Sequence, residues 1–328
     1  MVSKIPNIPQ WGFVSGRISV LEARFLPREF FMNMISQERI EDIVPYLQDT
    51  FLKDYLAPGA VREDFGAISD RCFYDMALSL RGNCPSTIPV DIFLLQSDYL
   101  NLKSALTGTT TFPFPMSLFT QEMLSAIAHE DYTGLPQSLR ESAGWTAGDV
   151  FQVDSGILDI MLDGSYLRHL LSLANGIESE MVSIYVKERV LAYIIIVLWR
   201  AANQGIPLKR YRQHLLPLED FTPVAIELIG INNPETWAAV IGGIIGDLFD
   251  ESLESYADDR ISSFDLKVTN YLSGIVRDGR LQTAGPERVF SFLAGLNVEM
   301  QNLKLVITGR LNRIDQGLLK ERLKDCYV

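Results

Sequence analysis

GPERVFSFLAGLNVEMQNLKLVITGRL, residues 285–311, is the stretch that decides the fold class. Val289, Leu293, Leu296, Met300, Leu303, Ile307 and Leu311 recur at steps of mainly three and four, which puts seven apolar side chains on one stripe of an α-helix. Gly285-Pro286-Glu287 reads as its start, because a first-turn proline has no helical hydrogen bond to lose and the acid suits the positive helix end. Asn233-Pro234-Glu235 is a second start signal of the same kind. Clean two-residue alternation bounded by turn pairs is hard to find, and Asn175-Gly176 sits between helical patterns as a cap rather than a hairpin. The expectation is an all-α chain.

Outward from this helix the sequence echoes itself. Residues 98–108 read DYLNLKSALTG and residues 299–311 read EMQNLKLVITGRL, so Asn101-Leu102-Lys103 and Asn302-Leu303-Lys304 are each followed by Thr-Gly. Between them lies LAYIIIVLWRAANQG, residues 191–205, in which Tyr193-Ile194-Ile195 takes the place of Asn-Leu-Lys. The steps are 92 residues from Asn101 to Tyr193 and 109 from Tyr193 to Asn302. Asp70 to Tyr74 is echoed by Asp163 to Leu167, and weakly by Asp265 ahead of Tyr271. Leu26 to Phe31 is echoed by Leu216 to Phe221. Their order along the chain is preserved, so we expect three diverged helical repeats, at 1–110, 111–206 and 207–328. Short breaks interrupt the helical patterns: Ala57-Pro58-Gly59, Gly82-Asn83-Cys84-Pro85, Thr107 to Pro115 and Gln204-Gly205-Ile206-Pro207.

Composition narrows the function classes. Of the 328 residues, 47% are hydrophobic and 21% charged, enough to fill a large core and unlike a disordered chain. A formal charge of −12 opposes binding to nucleic acid, and equally to anionic headgroups. Cys72, Cys84 and Cys326 are far apart and show no zinc or disulfide spacing, which fits a reduced compartment. The first residues lack the apolar core of a secretory signal. The longest apolar run, Val190 to Trp199, has ten residues where a spanning helix needs about 20, so it reads as a helix buried on all sides. A cytoplasmic chain is expected.

With these segments in hand, the chain resembles the C subunits of V/A-type ATPases, relatives of the d subunit of the eukaryotic vacuolar enzymes. The resemblance rests on the N-L-K segments with an acid three residues earlier, on the opening helix GRISVLEARFLPREFF (residues 16–31), and on Leu323, Tyr327 and Val328 near the C-terminal end. Tyr193-Ile194-Ile195 departs from the pattern, so equivalent polar contacts from all three repeats are not implied. The resemblance implies a quasi-threefold, funnel-like adaptor of the central stalk. It would seat the rotating shaft on the membrane proteolipid ring and couple ATP turnover to proton or sodium transport, without catalysis of its own. It implies a chain that is peripheral to the membrane through its complex and monomeric when isolated. The implied partner interface comprises Arg17, Asn101, Lys103, Arg200, Asn302, Lys304 and Arg310. For the N-L-K segments a structural reading stands beside this one: the asparagine bonds a neighbouring helix end, the leucine packs and the lysine lies along the surface. A free-standing helical scaffold unrelated to rotary ATPases is the alternative.

The residues offer little to an enzyme, and no catalytic residue, cofactor or metal is expected. His129, His169 and His214 pair with no ligand at metal spacing. Neither a Gly-x-Ser-x-Gly elbow nor a Walker sequence occurs, so no nucleotide is expected to bind directly. Gly242-Gly243-Ile244-Ile245-Gly246 follows a helical pattern rather than a strand, so it reads as close helix packing. Asp258-Asp259 lacks the third acid that would let a helical face hold Mg²⁺, since Ser262 stands there. The acids at 38–42 and 247–254 read as solvated helix faces.

Overall fold

The apolar stripe at 289–311 forms as read. Residues Pro286–Leu311 make a 26-residue helix with proline in its first turn, and six of the seven stripe positions are buried, Leu311 being the half-buried exception. The computed structural model describes residues 8–56, 60–135, 154–231 and 233–328, and among them it contains helices and no strands. In chain order these are α1 (Ile8–Glu22), α2 (Arg28–Ser36), α3 (Ile40–Leu47), α4 (Ala60–Arg81), α5 (Ile88–Leu106), α6 (Gln121–Ala128), α7 (Ser155–Asn175) and α8 (Glu180–Asn203). There follow α9 (Lys209–His214), α10 (Thr222–Gly230), α11 (Ala238–Ile241), α12 (Gly243–Leu253), α13 (Arg260–Val276), α14 (Pro286–Leu311) and α15 (Gln316–Glu321).

The caps follow from the sequence. Thr120, Asp154, Ser179 and Asp315 each accept a hydrogen bond from a first-turn amide of α6, α7, α8 or α15. Within α4, Asp64 leaves helical geometry and its carboxylate accepts from the Ala67 amide at 3.0 Å, so the regular helix starts there. Gly176 closes α7, as expected of Asn175-Gly176. Thr107 to Pro115 is non-helical, and Ala57-Pro58-Gly59 lies outside the described residues. The start signal at Asn233 gives less than its pattern promised. Asn233 caps only a 3₁₀ turn, and the four-residue α11 stops at Gly242 and Gly243, whose φ values of 62° and 56° suit glycine. Gly246 then lies so close to α11 that a Cβ would come 2.9 Å from the Ala238 carbonyl oxygen, which is helix packing and not a phosphate cradle. The run Val190–Trp199 is helical, but Leu191, Tyr193, Ile196 and Val197 are only half-buried, so α8 is not enclosed on every side.

Two compact units emerge: residues 1–90 with 269–328, and residues 91–268. In the first, α14 is the spine against which α1, α2, α3, α4 and α15 pack. Phe25, Phe51 and Phe292 meet edge to face in its core at centroid separations of 5.4 to 6.5 Å. In the second, α8 packs on α7, α10 and α12, with Trp199, Phe249 and Phe264 in mutual ring contact. Burying one such side chain is worth about 1.5–3 kcal/mol, whereas a half-exposed ion pair contributes about 1 kcal/mol or less. Apolar packing therefore holds both units, and the polar contacts described next select their geometry.

Candidate functional site

The N-L-K positions share one construction. Asn101, fully buried near the end of α5, donates from Nδ2 to the Phe114 carbonyl at 2.8 Å and accepts the Phe114 amide at 3.1 Å. Asn302, buried in α14, donates to the Lys324 carbonyl at 3.0 Å and accepts the Lys324 amide at 2.9 Å. Each amide side chain thus grips both backbone groups of one half-buried residue in a non-helical segment, groups that no helix or strand pairs. The expected partner was a helix end. The partners are instead single residues of non-helical segments, 13 and 22 residues downstream.

The flanking residues repeat the theme. Asp98 accepts from the Ser117 amide, the Ser117 hydroxyl and the Leu118 amide at 2.9, 2.6 and 3.0 Å. Its counterpart Glu299 accepts the Leu26 amide at 2.8 Å. Leu102 and Leu303 are fully buried. Lys103 Nζ pairs with Asp159 at 2.6 Å, and Lys304 Nζ pairs with Asp70 at 2.5 Å. Where Tyr193 replaces the asparagine, its hydroxyl donates to Asp163 at 2.8 Å. Asp70 and Asp163 are the residues whose surroundings echo each other in sequence.

The remaining candidates are placed separately. In the first unit Arg17 donates to the Ser79 carbonyl and hydroxyl, and Arg310 donates to the Gln37 and Glu38 carbonyls past the end of α2. In the second, Arg200 is exposed in the last turn of α8. Arg17, Asn302, Lys304 and Arg310 belong to the first unit, and Asn101, Lys103 and Arg200 to the second.

Sequence reasoning marked residues of two features without foreseeing their surroundings. The first is a cleft of about 230 Å³ in the second unit, where Lys103 and Tyr99 of α5 face Asp159, Asp163 and Tyr166 of α7 and Tyr193 of α8. Burial pushes the Asp163 carboxyl up to about 6, against the opposing Tyr193 hydrogen bond. The i, i+4 spacing of Asp159 and Asp163 was the available signal, but it looks like any solvated face until α5 and α8 close over it. The second is Glu299, pushed up to about 8 by burial although the Leu26 amide and Arg24 oppose the shift. Burial likewise raises the Cys72 and Cys326 thiols, to about 12 and about 11, so neither forms a thiolate readily near neutrality. Among the described residues no group of three His, Cys, Asp or Glu side chains is placed to hold a metal, and no helix is long and apolar enough to cross a membrane.

Comparison with known proteins adds two findings. The family model for the ATP synthase (C/AC39) subunit matches residues 14–322. The C subunit of the V-type sodium ATPase of Enterococcus hirae is 23% identical over 325 residues, spanning 93% of this chain and 95% of that protein.

Proposed function

The chain belongs to the ATP synthase (C/AC39) subunit family, and from that membership we propose that it is the non-catalytic central-stalk adaptor that joins the rotating shaft to the membrane proteolipid ring. The observation that carries this reading is a family match running over almost the whole of an all-helical chain. Membership sets aside the scaffold unrelated to rotary ATPases. An adaptor of this kind works at the cytoplasmic face, held to the membrane by its complex. Torque would pass through many packed contacts rather than one strong bond.

The proposal includes the three-repeat division at 1–110, 111–206 and 207–328. Its support is the matched grip of Asn101 and Asn302 and the lysine–aspartate pairs of Lys103 and Lys304. In this reading Asn101 and Asn302 serve the interface from inside, by fixing the segments around Phe114 and Lys324. Arg17, Lys103, Arg200, Lys304 and Arg310 are the side chains with polar ends nearest the surface. The test is affinity isolation of the tagged chain from its native membranes in mild detergent, with mass identification of what comes with it. Recovery of a small proteolipid together with shaft proteins is the expected result. A partner-free chain, from membranes that demonstrably hold an intact rotary ATPase, refutes the adaptor.

A further inference from the structure

The cleft in the second unit is built unlike the polar contacts around it. Asp159 and Asp163 lie one turn apart on α7, so both carboxylates address the same space, with Lys103 as the ammonium opposite them. Lys103 is engaged with Asp159. Asp163 Oδ1 accepts from Tyr193, and among the described residues Oδ2 meets no donor. In the lining itself two acids face one lysine, and the Arg189 guanidinium, which is not part of that lining, donates to the Tyr166 hydroxyl at 3.4 Å. The walls of the cleft are three phenol rings in sequence, Tyr99 against Tyr166 at 5.7 Å and Tyr166 against Tyr193 at 5.8 Å. Ring faces attract cations, most strongly where water is thinned out.

Size and charge narrow the occupant. About 230 Å³ falls below the roughly 300–1,000 Å³ of pockets that hold drug-sized ligands, so the space suits the end of a side chain and not a nucleotide. The carboxylates would in any case repel a phosphate. Between the two basic side chains, a planar guanidinium both forks onto a carboxylate and stacks on an aromatic ring, which an ammonium does not. We propose that the cleft receives an arginine side chain presented by a neighbouring protein of the complex, its guanidinium held by Asp163 and Asp159 against the Tyr166 and Tyr193 rings. That the arginine comes from another protein rests on the stalk assignment; the affinity of the cleft for the side chain does not.

The test is titration of the isolated full-length chain, with ring-labelled tyrosine, by N-acetyl-L-arginine methylamide. Neutral N-acetyl-L-citrulline methylamide and spermidine are run alongside. The proposal expects saturable shifts of the Tyr166 and Tyr193 resonances with the arginine probe and none with citrulline. Asp163→Asn should weaken binding about fivefold, the scale of one partly solvated charge pair. Lys103→Met, which frees Asp159 for the ligand, should strengthen it, and this opposite sign carries the test if Asp163→Asn does not fold. No saturable shift, equal binding of citrulline, or weaker binding by Lys103→Met overturns the proposal. Tighter binding of spermidine overturns it too, in favour of a free polyamine. Affinity isolation reads the other premise: an intact titration with no co-purifying partners refutes the adaptor and leaves the chemistry of the cleft standing.

Discussion

At the scale of single residues, Glu299 has the most to lose from its surroundings. Its side chain is 4% exposed, one oxygen accepts the Leu26 amide, and Oε1 is buried without a donor. Burial holds its pKa near 8 against an ordinary value of 4.5, so the folded chain keeps a proton that the unfolded chain releases. The native state therefore binds more protons between about pH 4.5 and 8, and stability falls as pH rises through that window. A tenfold change in proton affinity is worth about 1.4 kcal/mol, so the ionised carboxylate should cost a few kcal/mol at alkaline pH. Glu299→Gln keeps an acceptor for Leu26 and cannot ionise. Its melting temperature should exceed that of the parent above pH 8, and the two should converge near pH 5. Parallel melting curves from pH 5 to 9 would place the charge elsewhere. The sequence marked Glu299 only as the acid before an N-L-K segment, because nothing in residues 296–303 says that Leu26 will bring an amide to it.

At the scale of elements, α14 was legible as a helix and its glycines were not. Gly295 and Gly309 lie inside α14, although glycine in a helix interior costs about 1 kcal/mol relative to alanine. In the fold they are notches. A Cβ on Gly295 would lie 2.2 Å from the Tyr327 ring, and one on Gly309 would lie 2.4 Å from a Leu319 methyl. Helix α15 and the residues after it fold back over α14 through these two gaps. They are held there by the Asn302 grip on Lys324, by Tyr327 donating to Glu22 at 2.6 Å, and by Arg280 donating to the Tyr327 carbonyl. Period and propensity describe a helix by its own side chains, so a gap shaped for a ring 32 positions later leaves no local trace. Gly295→Ala should push the Tyr327 ring out and cost about 1–3 kcal/mol, as overpacking does, despite alanine's better helix propensity. Denaturant midpoints would measure the loss, and hydrogen exchange should show the Lys324 and Asp325 amides losing protection. A variant as stable as the parent would mean that the tail does not depend on the notch.

At the scale of the whole chain, the all-helical class was legible from periodicity, and the pairing of its ends was not. The first unit is assembled from residues 1–90 and 269–328. Leu26 meets Glu299, Ser69 meets Met300 and Asp70 meets Lys304, at separations where no sequence period carries information. Residues 91–268, by contrast, form a unit from one unbroken stretch whose core rings, Trp199, Trp237, Phe249 and Phe264, all lie inside it. The two stretches should therefore differ in autonomy. A fragment of residues 86–276, which keeps α5 and α13 whole, retains the packing of α8 on α7, α10 and α12, and should show helical circular dichroism and a cooperative melt. A fragment of residues 1–85 loses α14, whose apolar stripe covers α1 to α4, and exposed apolar area is worth about 25 cal/mol per Å². It should lack a cooperative transition and bind a hydrophobic dye. Adding a fragment of residues 277–328 should restore the transition, since the Asp70–Lys304 pair and the Leu26–Glu299 bond then have both partners. If residues 1–85 fold cooperatively alone, the interactions that define the first unit are local after all, and α14 only docks on a preformed surface.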